Sequence, residues 1–200
     1  MEKQTKGEIT QVNILRTAHQ LFIRQGYHGT SMRQIAEEAN IALGAIYNHF
    51  SGKEDLFRSV FLQNHPYHDI LPALLESHGE DPETLVQNMA GKMVLALENR
   101  PDFLNLLFIE LVEFNSIHTM ELYQSIMPQV RDLIDHFLSA GHDRMREIPP
   151  ITLVRAFIGL FFSYHLTGKI LQPLSGLSDG LYKDAMPAFV DIFLYGILRD

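Results

Sequence analysis

Histidine is the residue type in this chain with the most varied chemistry, because it can bind a metal ion or transfer a proton near neutral pH. The chain has ten histidines, and the densest group is the run His65-Pro66-Tyr67-His68-Asp69. His65 and His68 have the i, i+3 spacing that could reach one ion, but Pro66 lies between them and no distant partner can be identified. The sequence therefore predicts no metal site and no cofactor.

Two further histidines, His118 and His165, lie in apolar segments that also carry acidic and tyrosine side chains. A buried histidine usually finds a hydrogen-bond partner inside the protein, so interior packing is the first interpretation. Contact with a bound small molecule is the alternative, and the sequence leaves both open.

Motifs for covalent catalysis are not recognisable. The absence of cysteine excludes a thiolate nucleophile and a disulfide framework. We find no glycine-rich phosphate loop, nucleophile elbow or paired-carboxylate motif, so we predict that the chain is not an enzyme. The first residues are polar, and no later apolar run approaches the ~20 residues that cross a bilayer, which predicts a soluble cytoplasmic protein.

Charge is distributed unevenly along the chain, whose formal net charge is −8. Residues 1–60 carry seven Lys and Arg against six Asp and Glu, whereas the remaining 140 residues carry nine against eighteen. A chain of this kind does not coat nucleic acid over its whole surface. Any anionic partner should therefore meet the amino-terminal part.

Apolar residues recur at intervals of three and four nearly everywhere, which predicts an all-α fold of about nine helices. A short second helix is capped by Thr30 or Ser31 and ends near Asn40. The other helices are predicted at about 8–25, 43–50, 53–64, 83–99, 102–115, 119–140, 151–171 and 181–198, with errors of ~2 to 4 residues at their ends. Pro66 and Pro72 should kink or end the fourth helix. We expect a domain of three helices over residues 1–55 and a larger helical domain over residues 56–200.

The segments TSMRQIAEEAN and IALGAIYNHF predict two short helices joined by a tight turn. This is the geometry of a helix-turn-helix, whose second helix enters the major groove of DNA. Ala36 is small where the helices must approach closely, and Asn40 tolerates the left-handed turn conformation better than other non-glycine residues. Ile35, Ile41 and Ile46 can fill the core between the helices.

The segment GYHGTSMRQIAEEANIALGAIYNHFSGKEDLF resembles the DNA-binding signature of the TetR family of bacterial transcriptional regulators. The resemblance is close over about residues 8–60. The residues in register are Thr30, Ile35-Ala36, Gly44, Tyr47, His49-Phe50, Lys53 and Leu56. Asn40 departs from the usual pattern, since glycine is common there. Ala42 and Leu43 also depart, because a small hydroxyl residue followed by a polar or basic one is common at those positions.

The resemblance implies particular roles for the polar residues of this segment. Tyr47 and His49 should donate to phosphates, and Lys53 and Thr30 should hold the flanking DNA backbone at the starts of their helices. Arg33 is the best candidate for a bidentate guanine contact, because its fork matches the O6 and N7 atoms. The residues expected to face the groove floor are Ala42, Leu43, Gly44, Ala45 and Asn48. A half-buried packing role is the alternative for Tyr47 taken alone.

Large deformable apolar residues are concentrated in the middle helices. Such residues are more often plain core, but Met and Phe together with a few polar groups also line adaptable ligand cavities. With the family resemblance, the predicted ligand-binding residues are Met89, Met93, Phe103, Leu107, Phe108, Glu110, Phe114, His118, Tyr123, Phe162 and His165. Because lysine is scarce in this region, the expected effector is an apolar or aromatic small molecule that could carry one polar or cationic group.

The last two predicted helices are apolar over more of their circumference than an ordinary surface helix requires. Two such helices from each of two chains could form a symmetric four-helix interface, placing two recognition helices about one DNA turn apart. The predicted dimer-interface residues are Phe157, Phe161, Phe189 and Phe193. The alternative is that these rings pack within one chain.

These features together predict a homodimeric, ligand-responsive DNA-binding transcriptional regulator. We expect a repressor that binds a palindromic double-stranded DNA operator and is released by its effector. The alternative is a constitutive DNA-binding or corepressor-recruiting protein without a small-molecule effector. An internal cavity of some hundreds of cubic ångströms would favour the sensor, and a tightly packed interior would favour the alternative.

Overall fold

The computed structural model describes residues 5–79, 81–141, 146–171 and 185–197, and the regular elements among them are all α-helices. They are α1 (Lys6–Gln25), α2 (Met32–Glu38), α3 (Leu43–Tyr47), α4 (Lys53–Asn64), α5 (Tyr67–Leu75), α6 (Pro82–Glu98), α7 (Phe103–Glu113), α8 (Ile117–Gly141), α9 (Pro150–Leu171) and α10 (Ala185–Ile197). The predicted all-α fold is confirmed. The predicted turn at 173–180 and the first residues of the predicted helix at 181–198 lie outside the described residues.

Short polar residues and prolines determine where the helices begin. Thr5 and Glu8 form a reciprocal capping box at the start of α1. Asp81 caps α6 by accepting the backbone N–H of Thr84, and proline follows as the first helical residue. The additional helix α5 begins directly after Pro66, because proline is tolerated at the start of a helix, where its missing N–H needs no partner.

Contacts between residues divide the chain into two compact units. The first contains residues 1–65 and 101–125, and the second contains residues 66–100 and 126–200. In the first unit α7 packs against both α1 and α4. The core of this unit includes Ile14, Leu21, Phe22, Ile35, Ile46, Phe50, Leu56, Phe57, Val60, Phe61 and Leu106. The functional boundary expected after residue 55 stays a prediction.

The second unit is organised around α6, which packs against α5, α9 and α10. Phe157 and Phe161 of α9 have ring centroids 4.8 Å apart, and Phe193 of α10 lies 5.6 and 6.3 Å from them. All three rings are buried within the single chain, so they form monomer core instead of the predicted dimer interface. Phe189 is half-buried and contacts Tyr164, with ring centroids 5.2 Å apart.

Helix α9 has 22 residues and is long and apolar enough, by length and composition, to cross a membrane. The expectation that no apolar run approaches that length was therefore wrong. Most of its apolar window is exposed on the single chain, and Arg155 is exposed in the second turn of the helix.

Candidate nucleic-acid interface

The turn between α2 and α3 has the geometry that the sequence predicted. Asn40 has a φ of 55°, and the backbone N–H of Ile41 donates to the carbonyl of Ala36 at 3.0 Å. This left-handed residue ends α2 and redirects the chain into α3. Ile35 and Ile46 are fully buried between the helices, which confirms their predicted core role.

Helix α1 is fastened to this turn by a side chain that the sequence prediction missed. The Nδ2 atom of Asn13 donates to the carbonyl of Ala39 at 2.9 Å, and Arg16 donates to the Oδ1 atom of Asn13 at the same distance. The turn carbonyl is thereby paired with α1, which fixes the orientation of α3. The only sequence signal for this role is a polar residue beside the buried Ile14.

The outer side of α2 and α3 presents most of the residues predicted to contact DNA. The Arg33 side chain is 81% exposed and pairs through Nε with Glu37 one turn later, at 3.0 Å. On α3, Leu43 is 40% exposed and Tyr47 is 52% exposed. The neighbouring Ala42, Gly44 and Asn48 are exposed, whereas Ala45 and His49 are half-buried. A guanidinium, a phenol and an amide are thus accessible beside a patch of apolar surface.

Thr30 does not occupy the position that the resemblance implied. Its side chain is buried, and its hydroxyl donates to the carbonyl of Gly26 at 2.8 Å. The residue that caps α2 is Ser31, whose Oγ accepts the backbone N–H of Gln34. The Thr30 hydroxyl therefore holds the loop before α2 and has no free access to a phosphate.

The side chain of Lys53 also forms hydrogen bonds within the protein. Its ammonium donates to the carbonyls of Tyr27 and Thr30, each at 2.9 Å, and lies 4.2 Å from the centre of the Tyr27 ring. Partial burial lowers the pKa of Lys53, and the charge of Glu113 opposes that change. These bonds give Lys53 a structural role as a link between the start of α4 and the loop before α2, and its predicted phosphate contact stays a prediction.

Tyr27 forms part of an aromatic cluster that joins the loop after α1 to α4 and the junction between α7 and α8. Its ring lies 5.7 Å from that of Phe57 and 4.8 Å from that of Phe114. Phe57 and Phe114 are stacked at 4.8 Å, and His118 lies 4.9 Å from Phe114. Phe114 and His118 were predicted to bind a ligand. In the structure they belong to this aromatic cluster, which contacts α4 and the loop after α1.

Glu110 is fully buried at the junction between α7 and α8, where its carboxylate has a structural role. One oxygen accepts the backbone N–H groups of His118 and Thr119 at 2.8 and 3.0 Å. The other lies 2.8 Å from the Nδ1 atom of His118. A carboxylate at this place satisfies the free N–H groups at the start of α8 and is favoured by the helix dipole. Glu110 and His118 thus satisfy each other's hydrogen-bonding groups, as the interior-packing interpretation expected.

The predicted ligand-binding residues divide between the two units. Met89, Met93, Phe162 and His165 belong to the second unit, and the other seven belong to the first. In the first unit Phe103 is buried and Leu107 is half-buried, whereas Phe108 and Tyr123 are about half exposed. In the second unit Met89, Met93 and His165 are buried. Burial lowers the pKa of His165, and the charge of Lys169 lowers it further, against the opposing charge of Glu98.

The side chains of the histidine cluster near residue 65 make hydrogen bonds and ring contacts with other residues of the chain. Asp69 accepts a hydrogen bond from the Nε atom of Arg100 at 2.6 Å. The His65 ring lies 5.5 Å from Phe61 and 4.8 Å from Phe103, in edge-to-face arrangements. Within the described part of the chain, no three His, Asp or Glu side chains come together in a way that could hold a metal ion.

Comparison with known proteins bears directly on the helix-turn-helix. The sequence model of the family described as "Bacterial regulatory proteins, tetR family" matches residues 14–60, which run from the buried face of α1 to the middle of α4. Residues 14–60 of this chain are thus similar to the TetR family of regulators. The match covers all of α2 and α3 and the exposed side chains between Arg33 and Asn48.

Curated transcriptional regulators match the chain over different lengths. The transcriptional regulator UidR of Escherichia coli is 36% identical over 61 residues, which cover 30% of this chain and 31% of UidR. TtgR of Pseudomonas putida is 36% identical over 85 residues, which cover 41% of this chain and 40% of TtgR. The chain therefore matches less than half the length of these curated relatives.

The solved structure of NalD from Pseudomonas aeruginosa is similar over nearly the whole chain. It covers 98% of this chain and 100% of NalD, with a TM-score of 0.65 and 22% sequence identity. At this identity the likeness concerns the fold. The likeness in fold to NalD thus extends beyond residue 60, where the match to the family model ends.

Proposed function

We propose that the chain is a homodimeric, DNA-binding transcriptional repressor that releases a palindromic operator when a small molecule binds its second unit. The observation that carries this proposal is the exposed outer face of α2 and α3, which lies within the segment matched by the TetR family model. Repression as the direction of control is supported by NalD, which is described as the secondary repressor of a multidrug efflux pump.

DNA contact is assigned to the exposed side chains of this face. Arg33 has the fork geometry for a guanine edge, while Tyr47 and Asn48 can donate to phosphate oxygens or to an adenine edge. Lys53 and Thr30 support the face from inside and are left out of the contact set. His49 is half-buried, so its proposed phosphate contact depends on the accessible side of its ring.

Dimerisation is assigned to the exposed apolar side chains of α9 and α10. Ile151 and Ile158 are seven residues apart on α9, and Ile192 and Tyr195 are three apart on α10, so each pair shares one side of its helix. Tyr195 is 84% exposed on the single chain. Because large apolar groups clustered on a surface usually mark a protein interface, these four residues replace the buried phenylalanines as the proposed contact.

The effector is proposed to bind between α6 and α9 in the second unit. Met89 and Met93 are one turn apart on the buried side of α6, and His165 is buried on α9, which packs against α6. Methionine side chains adapt to ligands of different shape. The lowered pKa of His165 keeps its imidazole uncharged at neutral pH, so an uncharged, largely apolar molecule with one hydrogen-bonding group is the expected ligand.

Control of DNA binding is proposed to pass through α4 of the first unit. Phe57 of α4 stacks on Phe114, and Arg58 of α4 is paired with Glu121 near the start of α8. A displacement of the junction between α7 and α8 would therefore reach the helix that Lys53 ties to the loop before α2. A hundredfold change in operator affinity requires about 2.7 kcal/mol of coupling.

The function is tested by selecting binding sites from a pool of random DNA duplexes with the full chain. We expect enrichment of a palindrome whose half-sites lie about one helical turn apart, and a complex that contains two protein chains. Compounds that raise the melting temperature are then tested for release of the selected duplex. Failure to enrich any sequence would contradict DNA-binding regulation, and tight ligands that never change operator affinity would favour a constitutive regulator.

A further inference from the structure

The start of α3 lies in a run of six residues, 41–46, whose side chains contain no hydrogen-bonding group. Ile46 is fully buried and belongs to the core. Ala42, Leu43 and Gly44 are exposed, and Leu43 is the only large side chain among these three. The part of the helix-turn-helix that enters the groove first therefore presents apolar surface instead of hydrogen-bond donors.

Packing among the described residues does not require a glycine at position 44. A Cβ atom there would meet none of their heavy atoms within 4 Å, leaving out its two chain neighbours and the backbone of its own helix. Glycine weakens a helix relative to alanine, so the protein's own stability does not explain its presence. A glycine with open space outside its helix allows the backbone to approach a partner closely. Gly44 follows the exposed Leu43 in the chain and is itself exposed.

The chemistry of the major groove determines what an apolar side chain can recognise there. The C5-methyl group of thymine is the one methyl group on the base edges there, while a G·C pair presents mainly hydrogen-bonding atoms and no methyl group. A leucine placed against a G·C pair would remove water from those atoms without replacing its hydrogen bonds, which is unfavourable. Apolar surface on a recognition helix thus favours thymine at the facing pair.

We propose that Leu43 contacts the C5-methyl group of one thymine in each operator half-site, with Gly44 allowing the helix backbone close approach. This inference rests on the proposed DNA-binding function and names the base that this part of α3 selects. Recognition at this position depends on a methyl group, whereas Arg33 supplies the hydrogen-bonded recognition of a neighbouring pair.

The test uses the selected operator with single thymines replaced by deoxyuridine, which keeps base pairing and removes only the methyl group. Loss of one buried methyl contact corresponds to about a fourfold decrease in affinity, and loss in both half-sites to roughly fifteenfold. We expect this decrease at one thymine position in each half-site and no decrease at thymines elsewhere in the operator.

The Leu43→Ala variant assigns the effect to its side chain. It should bind the thymine operator about as weakly as the native chain binds the deoxyuridine operator, and the base change should then have no further effect. Leu95→Ala is the matched control, because Leu95 is exposed on α6 outside the matched family segment, and it should keep the full response to deoxyuridine. Gly44→Ala should leave the melting temperature unchanged or higher and weaken operator binding.

Three results would overturn the inference, and they can be distinguished from one another. If no duplex is selected at all, both the proposed function and this inference fail. If a tight operator is found and no thymine position responds to deoxyuridine, the methyl contact fails while DNA binding stands. If Leu43→Ala keeps the deoxyuridine effect, another side chain makes the contact.

Discussion

The two compact units differ in what holds them together and in what they leave exposed. In the first unit, polar side chains of the helices bond to the backbone of neighbouring segments, as Asn13, Lys53 and Glu110 do. In the second unit, a core of phenylalanines in tilted and edge-to-face contact lies beneath exposed apolar residues on α9 and α10. The first unit can therefore position α3 by internal bonds, while the second leaves large apolar side chains exposed on α9 and α10.

This difference shows that residue type alone does not separate a ligand-binding side chain from a structural one. Lys53, Thr30 and Glu110 each have the chemistry to bind a ligand, and each is bonded inside the first unit. Phe157, Phe161 and Phe193 have the chemistry of an interface, and each is buried within the second. In both units the internal contacts therefore have to be known before a side chain is assigned to a partner.

The largest effect is expected from charged residues placed on the two sides of α10. Phe193→Asp should prevent folding or cost more than about 4 kcal/mol of unfolding free energy, because it places an unpaired charge in the core. Ile192→Asp should remain folded and become monomeric, since Ile192 is exposed on the single chain. Circular dichroism and sedimentation velocity measure the two outcomes.

Val112→Asp on α7 is the control for this pair, because Val112 is exposed in the first unit. It should leave both folding and dimerisation unchanged. A dimer that survives Ile192→Asp would place the interface on another surface and remove the proposed contrast between the units.

The second effect concerns the buried carboxylate of the first unit. Glu110→Ala leaves the N–H groups of His118 and Thr119 without their acceptor and should cost about 3 kcal/mol of unfolding free energy in urea. Glu121→Ala removes an exposed ion pair with Arg58 and should cost less than about 1 kcal/mol. Equal losses in the two variants would show that the Glu110 carboxylate does not stabilise the start of α8.

The third effect separates support of the DNA-binding face from contact with DNA. Lys53→Met keeps the side-chain length and removes two hydrogen bonds to carbonyls, so it should cost about 1 to 2 kcal/mol of unfolding free energy. The slope of operator affinity against salt should stay unchanged, because no phosphate contact is lost. A decrease of about one unit in that slope, with unchanged stability, would restore the phosphate role.

The smallest effect is a dependence of stability on pH. Burial lowers the pKa of His19 in the first unit and of His165 in the second below the usual 6.5. The unfolded chain then takes up protons first as the pH falls below 6.5, so the unfolding free energy should decrease, by at most about 1.4 kcal/mol per pH unit for each group. His165→Gln should reduce this slope, measured by urea unfolding between pH 7 and 5, and an unchanged slope would assign it to other groups.

The fold could be predicted where the determining interactions are local in sequence. The spacing of Ile35 and Ile46, and the tolerance of Asn40 for a positive φ, were sufficient to predict the helix-turn-helix. Helix α5 was missed because Pro66 and Pro72 indicate breaks, although a proline before the first helical residue is compatible with a helix.

The roles of individual polar residues were harder to predict, since their partners are distant in the chain. Lys53 bonds to a carbonyl 26 residues earlier, and Asn13 bonds to one 26 residues later. No spacing pattern along one helix reports such a bond. Arg33 and Tyr47, which the family resemblance assigned to DNA contact, are both exposed, and their contact with DNA stays a prediction.

The central claim is that the exposed face of α2 and α3 binds the operator, and its most direct test is the affinity of an Arg33→Ala/Tyr47→Ala double variant. Loss of two charge-assisted or bidentate contacts per half-site should weaken binding at least about 100-fold at fixed salt. The unfolding midpoint should stay close to that of the native chain, because both side chains are exposed. Native operator affinity in a folded double variant would contradict the claim.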